Sequence, residues 1–141
     1  MSTFHISTDK SRLDVDMIAA FLSERSYWAK GRTRDKIEKT IANSLCFGLY
    51  TSEGQQVGFA RVVTDYAVFG WIMDVFILED FRGQGLGKLL MAAIMNHPDL
   101  QRLERLGLGT KDAHGLYEQF GFTIMKHPER KMERTNLPTE F

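Results

Sequence analysis

The chain has 141 residues, 43% of them hydrophobic and 26% charged, which suits one domain with one core and excludes a disordered or membrane-protein composition. Its 18 basic and 18 acidic residues cancel, so composition gives no reason to expect nucleic acid or an anionic membrane surface as a partner. The single cysteine, Cys46, excludes an internal disulfide framework and reads as a small core residue in a reducing compartment, and the N-terminus lacks a basic segment leading into an apolar one, so the cytoplasm is expected.

In chain order, residues 4–7 read as a short strand with Phe4 and Ile6 on one face. Asp9 and Ser11 offer capping oxygens to a helix whose stripe is Leu13, Met17, Ile18, Phe21 and Leu22. Tyr27 and Trp28 then stand beside Lys30, Gly31 and Arg32, either capping the core or forming a wall of a ligand site. Thr33 caps a second helix carrying Ile37 and Ile41. From Ser44 the period changes to two, and strands over 45–50, 57–64 and 71–78 are joined by short turns, with Gly58 at a bulge or a close approach. A helix follows residue 86 and stops at Pro98. Residues 103–109 favour a strand, 113–120 a short helix closed by Gly121, and 122–125 and 131–134 the last strands. One domain is expected over 1–141, with 136–141 expected as a mobile tail, and exposed edge strands near the C-terminus would make room for a homodimer.

The turn between the strand at 71–78 and the helix after it holds Gly83, Gly85 and Gly87 at alternate positions. Bare glycines let a ligand approach the backbone, and a helix start presents unpaired N–H groups and a partial positive charge, which together make a diphosphate cradle. A Walker A loop would need a glycine at Arg82 and Ser or Thr at Leu89. A dinucleotide fingerprint would need its third glycine at Lys88 or Leu90. The spacing that is present is Arg-x-x-Gly-x-Gly, from Arg82 to Gly87. About thirty residues on, Ala113, Leu116, Tyr117, Glu118, Gly121 and Phe122 form a second constellation.

On these two motifs the chain resembles the GNAT superfamily of acyl-CoA N-acyltransferases. The resemblance implies an α/β (α+β) domain with a mixed, mostly antiparallel central sheet of six to seven strands and about four helices. It also implies acetyl-CoA as co-substrate, with no metal, and a primary amine, in a small molecule or a peptide, as acceptor. By resemblance, Arg82, Gly83, Gln84, Gly85, Leu86, Gly87 and Lys88 bind the pyrophosphate. Backbone N–H groups around Phe76, Ile77 and Leu78 meet the pantetheine arm and the thioester carbonyl. Thr110 stands where the family usually has Asn and offers a hydroxyl in place of an amide. Lys126 and Arg130 either meet the nucleotide's outer phosphate or nothing.

Acyl transfer to an amine needs an acid for the departing thiolate and a route for the ammonium proton. Tyr117 matches the family's general acid; a phenol with a pKa of ~10 outlasts a thiol of ~8.5 at neutral pH, so the transfer is downhill. For the base, Asp74, Glu79, Asp80, Asp112 and His114 are candidates, with water as a relay. Asp74 is the most informative, a carboxylate inside an apolar strand that needs either a purpose or a partner such as Arg61. Tyr27, Trp28, Arg32, Arg61 and Asp65 are the expected acceptor pocket. No nucleophile with an adjacent base is evident, so direct transfer in a ternary complex is expected. Two other readings keep the fold without the chemistry: a regulatory module that binds acyl-CoA, and an interaction domain anchored by Tyr27 and Trp28.

Overall fold

Short connections at 52–55 and 65–68 set the topology of the central strands, because a turn of a few residues returns a chain only antiparallel to itself. In the computed structural model, which describes residues 3–137, β1 (Phe4–Ser7), β2 (Leu45–Thr51), β3 (Gln56–Thr64) and β4 (Phe69–Ile77) pair antiparallel in that order. β5 (Arg105–Leu108) adds to the far edge of β4 in parallel, after a crossover through α3 (Leu86–Asn96).

The first helix begins later than its sequence signals suggest. Asp9 accepts from the Ser11 N–H and starts only a single tight turn at Lys10–Arg12. The cap of α1 (Val15–Ala20) is Asp14, which accepts from the Met17 N–H at 3.1 Å, and the helix widens into a π turn at Phe21–Arg25. α2 (Arg34–Ala42) starts at Thr33, as its hydroxyl predicts. α4 (His114–Glu118) is a short helix after β5.

Strand alternation sends neighbouring residues to opposite faces, and each face has its own core. Ile18, Phe21, Leu22 and Ile37 of the first two helices pack on Cys46, Phe59 and Phe76. Leu90, Met91, Ile94 and Tyr117 pack on Phe47, Ala60, Val62 and Ile72 of the other face. Ile72 and Phe76, four residues apart on β4, would share a face in a regular strand. They lie in opposite cores because β4 carries a bulge: Phe59 faces Phe76 and Arg61 faces Met73, leaving both Asp74 and Val75 against Ala60.

The bulge puts Asp74 at φ 55°, a left-handed conformation costing ~1–2 kcal/mol. Full burial of a phenylalanine contributes ~1.5–3 kcal/mol, which offsets that cost. Phe76 achieves it by stacking on Phe21, with ring centroids 4.0 Å apart.

The sheet has five strands among the described residues, fewer than the six to seven expected, while the class and the four helices are as expected. Residues 122–125 and 131–134 do not form strands. Phe122 packs against Tyr117, but Ile124 is 74% and Met132 98% exposed, so neither segment has the buried face a strand needs. Positions 138–141 of the expected tail lie outside the described residues. Among the described residues, no helix is long and apolar enough to cross a membrane.

Candidate active site

The bulge turns Asp74 onto the face of the sheet where Arg61 of β3 also points. There the carboxylate accepts three hydrogen bonds: from Trp28 Nε1 at 2.8 Å on Oδ1, and from Arg32 Nη1 at 2.9 Å and Arg61 Nε at 2.7 Å on Oδ2. The Asp74 side chain is 0% exposed, Arg61 6% and Arg32 18%. Arg61 is also held by Ser44 Oγ, at 3.1 Å, and by the Met73 sulfur. Charges removed this far from water persist only when paired and hydrogen-bonded, and Asp74 is the partner that Arg61 requires. Both oxygens are thereby engaged, which fits a carboxylate that positions Trp28 and Arg32 better than one that receives a substrate proton.

Trp28 and Arg32 come from the segment between α1 and α2, which is tied down along its length. Ser26 Oγ donates to the Leu22 carbonyl at 2.7 Å and accepts from the Ala29 N–H at 3.0 Å. The Gly31 N–H donates to the Ser23 carbonyl at 2.9 Å, and the Ser23 hydroxyl donates to the Arg32 carbonyl.

Next to this cluster the sheet opens. The β4–β5 ladder runs from Phe69 opposite Arg105 to Ile72 opposite Leu108 and stops, so residues 73–77 of β4 are paired only with β3. The Leu78 N–H donates to the Val57 carbonyl at 2.8 Å and is committed within the sheet. Strand alternation then turns the Phe76 N–H toward β3 and the Ile77 N–H toward the open side. The Ile77 carbonyl, facing the same way, accepts from Arg82 Nε at 3.0 Å, which folds the glycine loop back against the end of the strand.

In that loop Gly83 and Gly85 have φ of 82° and 76°, and a Cβ built on either meets nothing within 4 Å. The loop therefore needs glycine for its conformation and leaves open space above the backbone. Gly85 is the N-cap of α3 and supplies no side-chain cap; the first turn has no acidic residue. The first helical hydrogen bond of the cap is Leu89 N–H to Gly85 C=O, so the amides of Leu86, Gly87 and Lys88 are free of helical partners. An uncapped start with Lys88 exposed beside it suits an anion rather than a carboxylate of the chain's own.

Tyr117 of α4 lies close to Tyr27, the neighbour of the Trp28 that bonds Asp74. It is buried, and burial foremost, then the nearby Tyr27 and Asp112, push its phenol above the ordinary tyrosine value. A raised pKa keeps the proton on the oxygen through neutral and mildly alkaline pH, as an acid requires. Tyr27 meets Trp28 edge-on at 5.1 Å, and Lys111 Nζ stands 5.2 Å above its ring. Lys111 is the participant that sequence reasoning missed, because only the fold brings residue 111 to residue 27. Thr110 Oγ1 accepts from the Ala113 N–H at 3.0 Å, leaving its own proton to donate.

Contacts thus link Tyr27, Trp28, Arg32, Arg61 and Asp74 into one cluster, with Tyr117 near Tyr27. Asp65 does not join them: it accepts from the Ala67, Val68 and Phe69 N–H groups and holds the β3–β4 turn, and these bonds lower its pKa. Glu79 pairs with Arg25 at 3.4 Å, while Asp80, Asp112, His114, Lys126 and Arg130 are exposed.

The model of the acetyltransferase (GNAT) domain matches residues 42–124, from the end of α2 through α4. A Gibberella zeae protein named as an acetyltransferase is 33% identical over 120 residues, covering 70% of this chain and 68% of that protein. An uncharacterized N-acetyltransferase of Gracilaria tenuistipitata var. liui is 32% identical over 100 residues, covering 67% of this chain and 54% of that one. A crystal structure of a Xanthomonas campestris pv. campestris protein assigned to the GNAT family superimposes with a TM-score of 0.91 at 48% identity, covering 94% of this chain and 93% of the other.

Proposed function

This chain belongs to the GNAT acetyltransferase family, and from that premise we propose that it transfers the acetyl group of acetyl-CoA directly to a primary amine. The observation that carries the reading is the unpaired edge of β4 at residues 73–77, running into an uncapped helix start above Gly83 and Gly85. An extended pantetheine arm fits such an edge, and a diphosphate fits such a start.

In this reading the amides from Gly83 to Lys88 hold the diphosphate, with Arg82 fixing the loop and Lys88 adding charge. The Ile77 N–H is the donor left on the open side of β4 for the acyl carbonyl; loss of one such donor typically costs ~3–4 kcal/mol of barrier. Acetyl-CoA supplies the activated acyl group as a thioester. Tyr117 gives its proton to the departing sulfur. Tyr27, Trp28 and Arg32 wall the acceptor side, and Asp74 positions the last two. Because Asp74 already accepts from three donors, the ammonium proton leaves through water.

Direct transfer is favoured by what Cys46 cannot do. It is buried among the apolar residues under α1 and α2, and burial pushes its thiol up to about 11, so it offers no thiolate to carry an acyl group at neutral pH. The test is release of CoA thiol from acetyl-CoA across a panel of primary amines, with intact-mass measurement of the protein. The reading expects an acetylated amine, an unmodified protein and a kcat lower by on the order of a hundredfold in Tyr117→Phe. Turnover with no amine, or build-up of acetylated protein before amine is added, overturns it.

A further inference from the structure

We propose that the acceptor carries an oxyanion, a carboxylate or a phosphate, beside its amine, and that Arg32 binds that group. The inference rests on the acetyltransferase reading and names the substrate class for it. Two guanidiniums share the one carboxylate of Asp74, so the buried cluster holds an excess positive charge. Arg61 is fully enclosed, with its remaining donors on Ser44 and Met73. Arg32 engages Asp74 through Nη1 alone; its Nε and Nη2 have no hydrogen-bond partner among the described residues, and it is the more exposed of the two.

Lys111 stands at the same wall, over Tyr27, and Asp112 next to it offsets only that second charge. A lone ammonium approaching this wall meets net repulsion. A molecule that brings its own negative group is drawn in and turned, because a planar guanidinium with two free donor groups matches a carboxylate or phosphate edge to edge. Trp28, bonded through Nε1 to Asp74, leaves an apolar ring beside Arg32 for the carbon skeleton between amine and anion.

The experiment uses matched pairs: an amino acid against its amide, and an aminoalkyl phosphate against the amino alcohol. Each is assayed for acetylation with acetyl-CoA and titrated by calorimetry without turnover. Within at least one pair the oxyanion member is expected to be favoured by about tenfold or more in kcat/KM and to bind more tightly. The two pairs distinguish carboxylate from phosphate. Arg32→Gln removes the preference through KM rather than kcat, and Arg32→Lys restores part of it; acetyl-CoA binding by each variant reports that the fold is intact. If nothing is acetylated but oxyanion members bind to the wild type and not to Arg32→Gln, the anion site stands and the acetyltransferase reading fails. Equal handling of charged and uncharged members, a preference that survives Arg32→Gln, or absence of both turnover and binding overturns the proposal.

Discussion

Replacing Asp74 by Asn keeps the shape of the side chain and removes the charge that two guanidiniums share. The amide nitrogen also places a donor where a donor already points. Arg61 is 6% exposed and cannot turn to water, so its charge is left buried with only Ser44 and Met73 beside it. Breaking a buried pair in this way costs ~3–5 kcal/mol. A chain of 141 residues has a total stability of ~7–20 kcal/mol, so the loss is a large fraction of it. At ~3 °C per kcal/mol for a domain of this size, Tm falls by roughly 10–15 °C. Urea denaturation checks the value directly, as a lower midpoint at unchanged slope. The same substitution in an Arg61→Met background should cost ~2 kcal/mol less, because the stranded charge is gone. A loss under ~1 kcal/mol, or strict additivity of the two changes, would refute the idea that this cluster is dry and mutually dependent.

Gly85→Ala should lower stability by only ~1 kcal/mol, since its φ of 76° strains a Cβ that meets nothing within 4 Å, yet weaken acetyl-CoA about tenfold or more by filling the cradle; calorimetry reads the affinity, and an unchanged value contradicts the placement of the diphosphate. Cys46, with its pKa pushed up to about 11, holds about one thiolate per thousand molecules at pH 8, and burial also shields it. Labelling by a thiol-specific disulfide reagent should therefore wait for unfolding, whereas prompt labelling of the native protein contradicts its burial. The Tyr117 phenol is raised above the ordinary ~10, so its protonated, acidic form persists as pH rises and is lost only above that value. The kcat should hold through mildly alkaline pH and drop beyond ~10, a limb absent from Tyr117→Phe; a Tyr117-dependent drop near neutrality contradicts the acid role.

The parts of the site made by backbone were legible in the sequence, because a main-chain cradle demands glycine at fixed spacing and a helix behind it. The motif from Arg82 to Gly87 and the one ending at Phe122 needed no tertiary information. Asp74 was legible as an anomaly, a carboxylate in an apolar strand, with Arg61 named as its partner. Its other two partners were not, since Trp28 and Arg32 arrive from another segment and the bulge that aims Asp74 leaves no mark in a strand reading as regularly apolar. Lys111 over Tyr27 is likewise a product of the fold. Asp65 shows a local signal overlooked: a carboxylate before a turn bonds the following N–H groups, and it does so here instead of lining the opening. The expected strand at 122–125 had Phe122 and Ile124 at alternate positions and the one at 131–134 only Met132, and neither has a buried face to receive them.

The most direct test of the account is backbone hydrogen exchange with and without acetyl-CoA. Saturating ligand should slow exchange at the unpaired edge of β4, residues 73–77, and at the glycine loop and helix start, residues 83–88, together. Unchanged exchange in both segments, or protection confined to other parts of the chain, would contradict the claim that an open strand edge and an uncapped helix form one site.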